Sequence, residues 1–266
     1  TVGLIDSYPV IIRGIAMHKT TATLPLLLKE LYLSTFQQLW EPLSEQAQEQ
    51  TWSYGQYLST LCENEVDVRY QNKLKRNLKQ AQLPMGKTLS TFDFSHTPNL
   101  NKAKIKDLAE NTHWVKNKEN VLLFGNSGTG KTHLASAIAY GLIEKGLKAF
   151  FTSTTTLVQK LQAARQKLIL PQTLAKLDFY QVLVLDDIGY VRKDEAETCV
   201  LFELIAHRYE SGSLIVTSNQ PFSEWDTIFA NHAMTVAAID RLVHHATILE
   251  IITDSFRKNQ SMKKSQ

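Results

Sequence analysis

The sequence predicts an α/β fold: a parallel sheet covered by helices on both faces, preceded by a small all-helical N-terminal domain. Three observations predict it. After Asn120, short β-branched or apolar runs alternate with helical stretches, and continuous apolar strands separated by helices belong to a parallel sheet buried on both sides. At the junction of the first run and the helix after it stands Gly125-Asn126-Ser127-Gly128-Thr129-Gly130-Lys131-Thr132. Ahead of residue 84, apolar residues recur at helical spacing instead.

Taken in order, Leu24, Leu27, Leu28 and Leu31 open the first helical stretch, which runs on towards Leu39 and Trp40. Pro42 is expected to interrupt it, since proline lacks the N–H that a helix interior uses. A polar Glu/Gln-rich segment follows. Ser53-Tyr54-Gly55-Gln56 has the form of a capping box. It opens a helix with Tyr57, Leu58, Leu61 and Cys62 inward, and Pro84-Met85-Gly86 ends it. Residues 88–101 read as a loop-like link. Strands are predicted over 121–124, 148–152, 182–185, 214–217 and 247–252, with helices over 133–141 and 235–244. The resulting division is an upstream or unassigned segment 1–16, a helical N-terminal domain 17–84, a linker and leading helix 85–119, a core domain 120–256 and a polar tail 257–266.

The chain has 266 residues, room for one α/β domain with a smaller module beside it. Its net charge of +3 is too small to prove a polyanionic partner, but the distribution is uneven. Glu41, Glu45, Glu49, Glu63 and Glu65 crowd the first part, whereas Lys73, Lys75, Arg76, Lys79, Lys87, Lys102, Lys104 and Lys106 follow with only Asp93 among them. That asymmetry suits a phosphate backbone and equally suits a solvated helix face. Cys62 and Cys199 stand alone, without metal-like spacing or a disulfide framework, which fits a reducing cytosol. The apolar run over 24–28 is too short to span a membrane, and Lys29 and Glu30 close it. Met17-His18-Lys19 precedes that run, but no small-residue cleavage site follows, so a cytoplasmic protein without a membrane partner is expected. The chain opens on Thr1, and no function is assigned to the residues before Met17.

The octapeptide from Gly125 to Thr132 is a P-loop, and it lies between a predicted strand and a predicted helix as a P-loop must. Gly125, Gly128 and Gly130 let backbone N–H groups turn inward on phosphate oxygens, so Gly125, Asn126, Ser127, Gly128, Thr129 and Gly130 form a triphosphate cradle. Lys131 reaches the β- and γ-phosphates, and the Thr132 hydroxyl sits on Mg²⁺. A helix beginning at Gly130 adds its positive N-terminal dipole. The run 182–185 ends in Asp186-Asp187 at the edge where open α/β sheets place ligands. Asp186 is the candidate Mg²⁺-associated carboxylate. Asp187 either orients or deprotonates the attacking water or is a supporting structural acid. Asn219, ending Thr217-Ser218-Asn219, either holds the lytic water or senses hydrolysis, or is a turn residue before Pro221. Arg241 and Arg208 are candidates to supply charge to a neighbour's phosphate, although either, read alone, is an ordinary ion-pair residue. His207, His232, His244 and His245 have no carboxylate or cysteine partner at ligand spacing.

In its ordered set of motifs the chain resembles the IstB family, ATP-binding helper proteins of two-gene insertion sequences and kin of the helicase loader DnaC. The resemblance rests on Leu27-Leu28-Lys29-Glu30-Leu31, Ser53-Tyr54 with Tyr57-Leu58, Leu89-Ser90-Thr91-Phe92-Asp93-Phe94, the P-loop with His133-Leu134-Ala135, LVLDDIGY over 183–190, RYESGS over 208–213 and TSNQPFSEW over 217–225. It implies an AAA+ P-loop NTPase core and a DNA-binding, DNA-bending, oligomerising ATPase that uses ATP and Mg²⁺. It further implies that double-stranded DNA and the transposase of the same element are the partners. By position, Lys131, Thr132, Asp186, Asp187 and Asn219 take the roles above, and Arg241 matches the arginine finger that acts across a subunit boundary. The segment 154–177 matches an extra helix that touches DNA through Lys160, Arg165 and Lys167, and Lys73, Lys75, Arg76 and Lys79 are further candidate contacts. A DnaC-like helicase loader and a non-hydrolysing ATP-dependent adaptor are the alternatives.

Overall fold

The computed structural model describes residues 23–189, 195–229 and 232–253. The segments 1–16 and 257–266, Met17, and Tyr190 of the second motif lie outside the described residues. Two compact units divide between Gln71 and Asn72, within a single long helix.

The first unit contains α1 (Leu24–Glu30), α2 (Ser34–Glu49) and the opening half of α3 (Tyr54–Ala81). The expected break at Pro42 does not occur: α2 runs through it and absorbs the Glu/Gln-rich segment. Proline removes only its own backbone bond, and the turns on either side stay paired; the usual cost of about 3 kcal/mol is borne by the rest of the helix. The capping box forms as expected, with Gln56 N donating to Ser53 Oγ (3.2 Å) and Ser53 N to Gln56 Oε1 (2.8 Å). Buried Glu65 fastens α3 to the start of α2, accepting from Thr35 N at 2.9 Å and from Arg69 Nε at 2.6 Å. Arg69 also donates to the Tyr32 carbonyl at 2.7 Å.

In the second unit α3 ends at Ala81, three residues ahead of Pro84, with Gln82 in the left-handed region (φ 55°) that commonly closes a helix. Residues 88–101, expected as a plain loop, contain two 3₁₀ turns, Leu89–Thr91 and Phe94–His96, followed by α4 (Lys102–Glu110) and α5 (His113–Lys116). The alternating region then delivers β1 (Asn120–Gly125), α6 (Lys131–Glu144), β2 (Ala149–Ser153), α7 (Thr154–Gln166), α8 (Leu170–Leu177), β3 (Val182–Asp186), α9 (Glu195–Arg208), β4 (Ser213–Ser218), α10 (His232–Val243) and β5 (Ala246–Ile251). All strand pairings are parallel, in the order β2-β3-β4-β1-β5.

The strands are apolar throughout because both faces are buried. Leu122, Leu183, Leu185, Leu214 and Val216 face a core with Leu161, Leu201, Leu204 and Leu242 from α7, α9 and α10. Val121, Leu123, Val182, Val184 and Ile215 point the other way, onto Ile105, Leu134, Ile138 and Leu142 of α4 and α6. The segment 154–177, expected as one extra helix, is two. Leu168 adopts φ 56° at the close of α7, where the chain must turn before α8 begins.

Candidate functional site

Parallel strands bring the C-terminal ends of β1, β3 and β4 to one edge of the sheet, and the P-loop, Asp186, Asp187 and Asn219 sit there. Gly125 leaves β1 at φ 148°; a β-carbon on it would come within 2.5 Å of the Ile251 carbonyl oxygen. Gly128 and Gly130 are also left-handed (φ 83° and 99°), and Gly130 is the residue from which α6 starts. The glycine-rich loop thus runs directly into the N-terminus of α6, the end of a helix that favours an anion. Lys131 is 5% exposed, with Nζ donating to the carbonyls of Gly125 (2.7 Å) and Asn126 (2.8 Å). Thr129 Oγ1 closes the turn on the Asn126 carbonyl at 2.9 Å.

Asp186 is the hub. Its Oδ2 accepts from Thr132 Oγ1 at 3.1 Å and its Oδ1 from Thr217 Oγ1 at 2.7 Å. Thr154 Oγ1 donates to its main-chain carbonyl at 3.0 Å. Burial, with the neighbouring Asp187 charge adding, holds the Asp186 carboxyl above the ordinary aspartate value, against the lowering effect of the Thr217 and Thr132 bonds. A hydroxyl and a carboxylate oxygen side by side at a phosphate cradle are the hard donors that suit Mg²⁺. Among the described residues no group of three or more His, Cys, Asp and Glu side chains is placed to hold a metal ion.

Asp187 and Asn219 line the same cavity, of about 570 Å³, together with residues 127–133. Asp187 is held in a left-handed conformation (φ 56°), and its N–H donates to Thr217 Oγ1 at 2.8 Å. Thr217 therefore binds both acids, a role that no sequence signal beyond its place at a strand end marks. The Asn219 Oδ1 atom is buried without a hydrogen-bond partner and lies against Gly189, where a β-carbon would approach it to 3.2 Å. The far wall of the cavity is made by Lys87, Thr91, Phe92, Asp93, His96 and Thr97, all from the stretch read as a linker.

Arg241 is not in that cavity. It lines a smaller one, of about 180 Å³, with Asn117, Lys118, Asn120, Tyr209, Glu210 and His245. Asn120 begins β1 and Gly125 ends it, so that cavity lies a strand's length, roughly 16 Å, from the P-loop. Arg241 donates to the Ala237 carbonyl at 2.8 Å and lies over the Phe202 ring. Arg208, the other arginine singled out, is 2% exposed and bonded to the Gln181 carbonyl (2.9 Å) and the Ser213 carbonyl (3.3 Å), with Asp178 beside it. It stitches the end of α9 to the neighbouring strands and is not available at a surface.

The expected DNA contacts fall in two groups. Lys73, Lys75, Arg76 and Lys79 are exposed along the later part of α3. Lys160, Arg165 and Lys167 are exposed on α7 and its C-cap, with Arg165 3.5 Å from Glu203. No helix among the described residues is long and apolar enough to cross a membrane.

Comparison with known proteins adds five findings. The family model of IstB-like ATP-binding proteins matches residues 26–264. A Sinorhizobium fredii protein described as an insertion-sequence ATP-binding protein is 48% identical over 93% of this chain and 84% of its own length. The ATP-binding protein named for insertion sequence IS21 in Pseudomonas aeruginosa is 36% identical, covering 90% of each chain. Among solved structures, the DnaC helicase loader superposes with a TM-score of 0.54 at 20% identity, covering 63% of this chain and 98% of that one. AMPPCP-bound DnaA from Aquifex aeolicus gives 0.53 at 20% identity, over 69% of this chain and 56% of that one. The fold is therefore the AAA+ P-loop type, as expected.

Proposed function

The chain belongs to the IstB-like ATP-binding proteins of insertion sequences, and from that membership we propose that it is an ATPase that assembles on double-stranded DNA and stimulates the transposase of its own element. ATP binds at the P-loop, with Lys131 on the β- and γ-phosphates. Thr132 and Asp186 hold Mg²⁺, which neutralises charge on the phosphates when bound. Asp187 positions or deprotonates the attacking water and Asn219 holds it. Arg241 of a neighbouring subunit completes the site, so closing the interface and firing the ATPase are one event. Closure aligns the basic faces of α3 and α7 on duplex DNA, and turnover releases them. The protein acts in the cytoplasm.

One observation carries this reading. Asp187 and Asn219 share a cavity with the P-loop, whereas Arg241 lines a separate one at the opposite edge of the sheet, away from its own P-loop. The test is duplex binding with and without ATP across a salt titration. Binding should require ATP, show little sequence preference and fall steeply with salt, as phosphate contacts dictate. ATP-independent or salt-insensitive binding would contradict the proposal.

A further inference from the structure

The cavity has two unlike walls. The P-loop wall supplies N–H groups, Lys131 and Thr132, the chemistry of phosphate binding. The other wall carries the aromatic ring of Phe92 beside Thr91, together with Lys87, Asp93, His96 and Thr97. Once the P-loop takes the phosphates, the space beside Phe92 is left for the base and ribose.

That second wall is not anchored by a helix or strand of its own; a 3₁₀ turn of three residues precedes Phe92. His133, the third residue of α6, reaches it. Its Nε2 is 3.0 Å from the Thr88 carbonyl oxygen and 3.1 Å from Thr91 Oγ1. A carbonyl only accepts, so Nε2 carries the hydrogen. Thr91 Oγ1 donates its own proton to the Gly86 carbonyl at 2.7 Å and accepts from Thr88 N at 3.0 Å. The Phe92 ring meets the His133 ring edge-on, with centroids 5.2 Å apart at 89°. It also lies close on the P-loop: a β-carbon at Gly130 would come within 2.9 Å of Phe92 Cε2.

We infer that His133 is a positioning residue of the nucleotide site: it fixes residues 88–92 beside the P-loop helix, so that the base and ribose meet a preformed wall at Phe92. The inference rests on the ATP-binding reading above. Holding the wall in place before binding removes the ordering cost from the nucleotide's affinity. It does so only for ligands that carry a base.

Equilibrium binding of Mg-ATP and Mg-tripolyphosphate to the full chain tests this. For His133→Ala, the lost hydrogen bonds and ring contact should weaken ATP about tenfold and tripolyphosphate less than twofold. His133→Gln should restore ATP affinity, because its amide nitrogen stands as many bonds from Cβ as Nε2 does; His133→Asn, one bond shorter, should not. Phe92→Ala should show the same ATP-selective loss, and the double variant with His133→Ala should lose little more than either alone. Equal weakening of both ligands, or unchanged ATP binding in His133→Asn, would overturn the assignment. Failure of the unmodified chain to bind ATP would strike at the proposed function instead. The comparison of Gln with Asn needs no alanine variant to fold.

Discussion

Thr217 and Asp186 are joined at the end of adjacent strands, the threonine hydroxyl donating to Asp186 Oδ1 at 2.7 Å while it accepts from Asp187 N at 2.8 Å. One hydroxyl thus sets the carboxylate beside the P-loop and the backbone of the acid after it. Thr217→Val keeps the volume but strands a buried carboxylate oxygen and an amide, which should destabilise the domain by about 2 kcal/mol. Thermal unfolding should show a lower midpoint, steady-state ATP turnover should fall, and Thr217→Ser should recover most of both.

Lys131→Ala should abolish measurable ATP binding, because no other cation lies within the P-loop itself. Asp187→Asn separates two outcomes at the same site. If Asp187 handles the attacking water, the variant binds ATP normally and keeps it unhydrolysed, with turnover down a hundredfold or more, within the range of a lost general base. Absence of hydrolysis in both the variant and the unmodified chain would support the non-hydrolysing adaptor, and equal measurable turnover in both would remove Asp187 from the chemistry. Rapid filtration of labelled ATP with phosphate release measures both.

Glu65 gives the N-terminal unit a pH dependence. Burial alone would raise its pKa, but the bonds from Arg69 and Thr35 outweigh burial and hold it below the ordinary glutamate value. A depressed folded-state pKa means stability that is fully present above the unfolded pKa and is lost as pH falls through the folded one. The helical unit should therefore loosen in acid, below about pH 4.5, and Glu65→Gln should flatten that dependence while lowering stability at pH 7 by about 2 kcal/mol. Circular dichroism melts at pH 4 and pH 7 check it.

The sheet was legible because its signals are local. A strand buried on both faces shows as an apolar run, and a phosphate loop shows as glycines at fixed spacing. Five predicted strands match the five observed to within a residue or two. What sequence does not display is partnership across elements. Nothing in Thr217 announces that it serves Asp186, and nothing in the stretch around Phe92 announces a cavity wall, since its anchor, His133, lies 45 residues from Thr88. Pro42 misled for a related reason: local propensity argues for a break, and the surrounding turns overrule it. The expected sharing of α3 and α7 basic residues by one DNA duplex is likewise a statement about an assembly, and a single chain's pattern of lysines does not encode it.

If the ATPase site is built from two subunits, mixing two inactive variants should restore it. Lys131→Ala lacks the P-loop cation but keeps Arg241; Arg241→Ala keeps its own P-loop but has no arginine to offer a neighbour. Each alone should hydrolyse ATP at no more than about a hundredth of the normal rate, below the 10³–10⁵ effect of the strongest arginine fingers. Mixed in equal amounts on duplex DNA, they should recover a substantial fraction of the unmodified rate, because Lys131→Ala subunits supply Arg241 to intact P-loops. A mixture no more active than the sum of its parts, or an Arg241→Ala chain that hydrolyses ATP at the full rate by itself, would contradict the shared site.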